Sequence, residues 1–228
     1  MPKLKRFLAS QHNGLKQIVL RLIYNLTFDP VLREAMDKSG FIPILVDILK
    51  MAPAHRAQVL KILYQLSQDD KTKATFTYTE CIPLVYQLIV HFPQPKVGYE
   101  LVALAINLST NSKNAAMMSE DDHYEVLIKR SLKNEDILLF KVVRNLSQFA
   151  TSKVRATLEK YALQFIGIAL QANEIPELQI ELLGTLVYTH LDNWDEVLKK
   201  TGLLILVQSN IDASMVFHES VCKVYING

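Results

Sequence analysis

The sequence contains few of the residues that usually mark redox, metal or nucleotide-binding sites. In 228 residues there are two cysteines, seven glycines and one tryptophan. Cys81 and Cys222 lie far apart in apolar helical contexts, so we expect reduced core thiols and no disulfide framework. The seven glycines form neither a phosphate-binding loop nor a nucleophile elbow. These absences argue against the common families of nucleotide-dependent and hydrolytic enzymes.

Other absences narrow the possible partners. The formal net charge is only +2, whereas nucleic-acid binding usually requires a strongly basic face. No apolar run is long enough for a transmembrane helix, and none follows a basic start as in a signal peptide, so a cytoplasmic protein is predicted. We therefore expect no nucleic-acid partner and no membrane insertion.

Catalytic and metal-ligating patterns are also missing. The six histidines share no helical i,i+4 spacing and have no neighbouring cysteine, so no metal site is predicted. Asp121-Asp122-His123 is the one tight cluster of ionisable groups, but it falls where a turn and a helix N-cap are expected. The sequence thus predicts no catalytic residue, no cofactor and no enzymatic activity.

A short phrase recurs every 38 to 42 residues. In most copies it is an amide residue followed by leucine and a hydroxyl residue. The copies are Asn25-Leu26-Thr27, Gln65-Leu66-Ser67, Asn107-Leu108-Ser109, Asn145-Leu146-Ser147 and the more degenerate Thr185-Leu186-Val187. A period near forty is typical of armadillo and HEAT repeats. The residues three and four positions before each leucine are apolar, which indicates one buried helix face.

Turn signals between the phrases indicate three helices per unit. Asp29-Pro30 suits the start of a short helix, and Ser39-Gly40 suits its end. Phe41-Ile42-Pro43-Ile44 would open a medium helix, and Pro53 and Pro95 precede two of the long third helices. Three helices, with a small residue between the first two, favour armadillo over the two-helix HEAT design.

The predicted fold is therefore all-α, an armadillo-repeat right-handed superhelical solenoid of about five to six three-helix repeats. We expect one array over residues 1–228, with units at 1–27 (partial), 28–67, 68–109, 110–147, 148–188 and 189–228 (partial). Terminal repeats normally carry a polar cap, whereas the last predicted helix, residues 214–225, is rich in apolar residues. The sequence is therefore expected to be a fragment, a truncated gene product or a divergent short paralogue.

The residue before each leucine, and the residue one helical turn earlier, should face away from the core and form a ladder along stacked third helices. Amides in such a row can pair with an extended peptide backbone, and cations there favour acidic side chains. An asparagine near a helix end can instead satisfy loose carbonyls. The predicted concave-groove residues are Arg21, Asn25, Lys61, Gln65, Asn107, Lys141, Arg144, Asn145, Glu181 and Thr185.

Several stretches resemble the kinesin-associated protein family. They follow the family's order along nearly the whole chain and include residues 25–33, residues 63–71, residues 76–83, residues 143–148, residues 183–186 and residues 191–199. The resemblance implies the non-motor accessory subunit of heterotrimeric kinesin-II. Its partners would be the tails of the two kinesin-II motor subunits and cargo adaptor proteins, in microtubule-based and intraciliary transport.

Two alternatives remain open at this stage. One is a general armadillo adaptor, catenin-like or a scaffold for small-GTPase exchange, with a different partner. The other is a helical enzyme, which a pocket of convergent ionisable residues would support. A nuclear import receptor is not expected, because such receptors carry a tryptophan four residues before the ladder asparagine, where this chain has Arg21, Lys61, Ala103, Lys141 and Glu181.

Overall fold

The computed structural model describes residues 1–172 and 174–208, and these contain helices and turns but no strand. Two compact units divide the chain, the first covering residues 1–154 and the second beginning at Arg155. Cys222 and the predicted helix at residues 214–225 lie outside the described residues. An all-helical fold is confirmed for the part that the structure describes.

The first unit is a succession of short helices. In chain order they are α1 Pro2–Leu8, α2 Asn13–Leu26, α3 Pro30–Lys38, α4 Phe41–Met51, α5 Arg56–Leu66, α6 Asp70–Thr75, α7 Cys81–Val90, α8 Tyr99–Leu108, α9 Ser112–Met118, α10 His123–Asn134 and α11 Ile137–Ser147. Short 3-10 turns at Pro53–His55 and Phe76–Tyr78 extend α5 and α6. α12, Ser152–Gln171, is one continuous helix.

Helices α3 to α11 form three consecutive triplets, and equivalent helices of successive triplets pack together. The third helices contact one another in the order α2, α5, α8 and α11. The second helices follow the same rule, since α7 contacts both α4 and α10, and among the first helices α3 contacts α6. This three-helix repetition is of the armadillo type, as the forty-residue period predicted.

Local sequence accounts for where the repeat turns lie. The Asp29 carboxylate accepts hydrogen bonds from the backbone N–H groups of Val31 (2.8 Å) and Leu32 (3.4 Å), and Pro30 occupies the first turn of α3. Gly40, between α3 and α4, has a φ of 68°, a left-handed conformation that glycine adopts without steric cost. The N-cap and the turn are both confirmed.

Two of the third helices, α5 and α8, are shorter than the sequence predicted. α5 has 11 residues, the same as α4, and α8 has 10, the same as α7. Pro95 does not introduce α8, because residues 91–98 form a loop and the helix starts only at Tyr99. Arg130 holds this loop by donating to the carbonyl oxygens of Phe92 (3.0 Å) and Gln94 (2.9 Å).

In the first unit the leucine of each repeated phrase is buried in the core, except in α2. Leu66, Leu108 and Leu146 are at most 1% exposed, whereas Leu26 is half-buried. Leu22, which the pattern places in the core, is 47% exposed. Cys81 is a buried free thiol, as predicted, and burial raises its pKa to about 12.

The second unit contains the rest of α12, then α13 Pro176–Leu186, α14 Trp194–Thr201 and helical residues 203–208. Gly202 follows α14 with a φ of 75°, so this turn repeats the left-handed conformation of Gly40. Gln179 interrupts the apolar pattern of α13 but is only 4% exposed, because its side-chain amide donates to the Ala169 carbonyl at 3.0 Å. The sequence pattern allows either a helix that is entered differently or one nearer a surface, and the burial of Gln179 excludes a surface position for this residue.

Candidate partner-binding surface

The structure divides the predicted ladder residues into three groups by exposure. Arg21 and Asn25 on α2 are exposed. Lys61, Gln65, Asn107, Lys141 and Arg144 on α5, α8 and α11 are half-buried. Asn145 on α11 and, in the second unit, Glu181 and Thr185 on α13 are buried, with 5%, 7% and 0% exposure. Direct contact with a partner is therefore open mainly to the residues on α2, α5 and α8 and to the two cations of α11.

Three tyrosines meet beside the ladder in the first unit. Tyr24 of α2, Tyr64 of α5 and Tyr99 of α8 line a cavity of about 250 Å³ together with the ladder residues Lys61 and Gln65. Tyr99 is 70% exposed, whereas Tyr24 and Tyr64 are half-buried. We call these five residues the tyrosine pocket. Aromatic rings with a polar tip are well suited to partner contacts, because they offer apolar area and a hydroxyl group together.

The charges at the tyrosine pocket nearly balance. Lys61 Nζ lies 3.5 Å from Glu100 Oε1, and about two fifths of each side chain is exposed. Such an exposed pair contributes about 1 kcal/mol or less to stability, so both groups can exchange this contact for one with a partner. Lys61 can therefore exchange its contact with Glu100 for one with a carboxylate of a partner.

Two ladder amides make hydrogen bonds between neighbouring repeats. Asn107 Nδ2 donates to Ser67 Oγ at 3.0 Å. Asn145 Nδ2 donates to Ser109 Oγ at 3.0 Å and to the Ile106 carbonyl at 3.1 Å. In both cases the amide of one phrase bonds the hydroxyl of the phrase before it. Asn145 thus bonds a carbonyl near the end of α8, as the alternative interpretation expects, whereas Asn107 bonds a hydroxyl group only.

The hydroxyl residue of the phrase also has a structural role that the sequence analysis did not assign. Each hydroxyl donates to the carbonyl three residues earlier, at distances between 2.6 and 2.8 Å, and the four donors are Thr27, Ser67, Ser109 and Ser147. This bond gives a donor to a carbonyl of the last helical turn, and in the first two phrases that carbonyl also accepts the backbone N–H of the same hydroxyl residue. The periodic recurrence of Ser or Thr after leucine was the signal for it.

The repeated phrase alone did not indicate the role of the pocket tyrosines. Tyr24 and Tyr64 directly precede the amide in two successive phrases, so the sequence reads Tyr-Asn-Leu-Thr and then Tyr-Gln-Leu-Ser. The repetition was visible, but aromatic residues at helical spacing usually belong to the core. Tyr99 comes from outside any phrase, at the start of α8, and nothing local connects it with the other two.

The Asp121-Asp122-His123 cluster lies at a turn, where the sequence placed it. Asp121 has a φ of 49°, and α10 begins at His123. The His123 ring stacks on Tyr86 with centroids 3.8 Å apart, and Asp122 pairs with Lys153 at 3.0 Å. Burial, and then the Asp122 charge, raises the pKa of Tyr86. The stacking of His123 and the surface ion pair of Asp122 therefore give this cluster a structural role.

Within residues 1–172 and 174–208, no three His, Cys, Asp or Glu side chains are grouped so that they could hold a metal ion. No helix in those ranges is both long and apolar enough to cross a membrane.

Comparison with known families gives one match along nearly the full sequence. The model of the family described as kinesin-associated protein matches residues 1–227. The match covers both compact units and includes the tyrosine pocket and every predicted ladder residue.

Proposed function

The chain belongs to the kinesin-associated protein family, and from this membership we propose that it is an adaptor that binds the tails of the two kinesin-II motor subunits. The family is a non-catalytic accessory subunit of kinesin. In this proposal the chain links the motor tails to cargo adaptor proteins during microtubule-based and intraciliary transport. It would accordingly act in the cytoplasm, on microtubules and in the cilium.

We assign the tail contact to the tyrosine pocket and the exposed ladder residues around it. The observation that carries this assignment is the meeting of Tyr24, Tyr64 and Tyr99 with Lys61 and Gln65 on three successive third helices. A segment lying across these helices would contact three repeats at once. Arg21 and Asn25 extend the surface along α2, and Lys141 and Arg144 add positive charge on α11.

Calorimetric titration with the two motor-subunit tails tests this proposal. Lys61→Glu places a second negative charge beside Glu100 and reverses the charge of the pocket. We expect it to weaken tail binding about tenfold or more, which corresponds to the loss of one or two charge-assisted contacts. Lys50→Glu on α4 is the matched control, because Lys50 is exposed and does not line the pocket.

The two variants separate the possible outcomes. If Lys61→Glu weakens tail binding and Lys50→Glu leaves it unchanged, the result supports the tyrosine pocket as the contact site. Equal affinities for both variants would contradict that assignment while leaving an adaptor role in place. Absence of tail binding by the unmodified chain would contradict the motor-tail proposal itself and favour a general armadillo adaptor with another partner.

A further inference from the structure

A second and larger cavity lies next to the tyrosine pocket. It has a volume of about 570 Å³ and lies between α5, α7 and the start of α8. Apolar side chains form most of its wall, namely Leu60, Leu88, Phe92 and Leu101. Glu100 lines both cavities, so they are contiguous. The volume is sufficient for a large aromatic side chain and part of the peptide that carries it.

The wall of this cavity is fixed by residues of the next repeat. Phe92 belongs to the loop at residues 91–98, which Arg130 holds through two carbonyl oxygens. The Asp136 carboxylate accepts a hydrogen bond from the Val97 N–H at 2.8 Å and anchors the other end of the loop. A Cβ atom at Gly98 would lie 3.0 Å from the Phe92 ring, so the loop packs closely here. The cavity is thus preformed by long-range contacts.

Of the lysine, arginine, aspartate and glutamate residues, Arg56 and Glu100 line the cavity, one of each charge. Lys61 lies beside Glu100 and balances its charge. Arg56, at the cavity wall, donates from Nε to the Leu49 carbonyl at 3.1 Å, which fixes the position of its guanidinium group. Since Lys61 offsets the charge of Glu100, the Arg56 guanidinium group favours carboxylates on a ligand.

We propose that this cavity anchors a large apolar side chain of an extended peptide, and that carboxylates flanking that side chain pair with Arg56. The apolar wall supplies the binding energy of the anchor residue, while the cation at the mouth selects acidic neighbours. The proposal concerns a site outside the tyrosine pocket. It does not depend on the identity of the partner as a motor tail.

Fluorescence polarisation with short labelled peptides tests the inference on the full chain. The first probe is one tryptophan flanked on each side by two aspartates, and two others replace the tryptophan by alanine or the aspartates by lysines. We expect the alanine probe to bind at least about tenfold more weakly, since burying a large apolar side chain accounts for such a factor. The lysine probe should show no saturable binding.

Two protein variants locate the binding. Ala57 is exposed at the cavity wall, so Ala57→Trp fills the cavity from outside without entering the core. It should weaken binding of the tryptophan probe about tenfold or more. Ala116→Trp, at an exposed helical alanine of α9 that does not line the cavity, is the matched control and should bind as the unmodified chain does.

The outcomes that overturn the inference are specific. They are equal binding of the tryptophan and alanine probes, equal binding of the aspartate and lysine probes, or unchanged affinity in Ala57→Trp. Because the probes contain no motor sequence, such results would leave the motor-tail proposal intact. Conversely, a failure of the motor tails to bind would not alter the expected response to these peptides.

Discussion

Replacing Asn145 by alanine should destabilise the first unit far more than the same change at the equivalent asparagines of the other repeats. Asn145 is 5% exposed, and its amide makes two hydrogen bonds to the preceding repeat, at 3.0 Å to Ser109 Oγ and 3.1 Å to the Ile106 carbonyl. A hydrogen bond of this kind contributes about 1 kcal/mol net. The variant should therefore lose roughly 2 kcal/mol in the free energy of unfolding.

The other asparagines of the ladder form a graded control series. Asn107 is half-buried and donates one hydrogen bond, to Ser67 at 3.0 Å, so Asn107→Ala should cost about 0.5–1 kcal/mol. Asn25 is exposed, so Asn25→Ala should lie within about 0.5 kcal/mol of the unmodified chain. The expected order of destabilisation is Asn145, then Asn107, then Asn25.

Urea unfolding followed by far-ultraviolet circular dichroism measures the three differences. A double-mutant cycle with Ser109→Ala isolates the bond between the two repeats and should give a coupling energy of at least about 0.5 kcal/mol. Ser109 keeps its own acceptor in Asn145→Ala, because its hydroxyl donates to the Ile106 carbonyl at 2.8 Å. Three equal effects, or no effect at Asn145, would refute the structural role assigned to the ladder amides.

Two further predictions concern the turns and the core thiol. Gly40→Ala should cost about 1–2 kcal/mol, because Gly40 has a left-handed φ of 68°. Gly167→Ala in α12 should stabilise the chain by about 0.5–1 kcal/mol, because an added Cβ there meets nothing within 4 Å. Thermal unfolding of both variants measures the two changes, and the reverse order would contradict the assigned turn. In a Cys222→Ser background, Cys81 should react with iodoacetamide at pH 8 only when urea unfolds the protein, and fast labelling of the folded chain would refute its burial. Since burial raises the pKa of Cys81 from 9.0 to about 12, its contribution to stability should be complete below pH 9 and decline as the pH rises from 9 towards 12.

Features that depend on short sequence spans could be predicted directly. The N-cap at Asp29 and the left-handed turns at Gly40 and Gly202 each require only two or three neighbouring residues. The armadillo repeat followed from the period of the leucines, because helices of equal design must pack against one another in order. These features need no information about distant parts of the chain.

Features that depend on the neighbouring repeat could not be predicted. Burial of Asn145 depends on Ser109, which lies 36 residues earlier, and the loop after α7 depends on Arg130 and Asp136 of the following repeat. The tyrosine pocket combines side chains of three helices, so no single helix pattern could reveal it. Leu22 is 47% exposed although it occupies an apolar position of the repeat, so the local spacing of apolar residues did not predict its environment.

The most direct test of the proposed motor-tail contact is site-specific photocrosslinking. Tyr99 and Tyr78 are similarly exposed, at 70% and 77%, but Tyr99 lines the tyrosine pocket and Tyr78 lies on the 3-10 turn after α6. A photoreactive benzoyl-phenylalanine is placed at one position or the other, and the chain is irradiated with the two motor-subunit tails. The account predicts a crosslink to the tails from position 99 and none from position 78. Crosslinking from position 78 alone would contradict it.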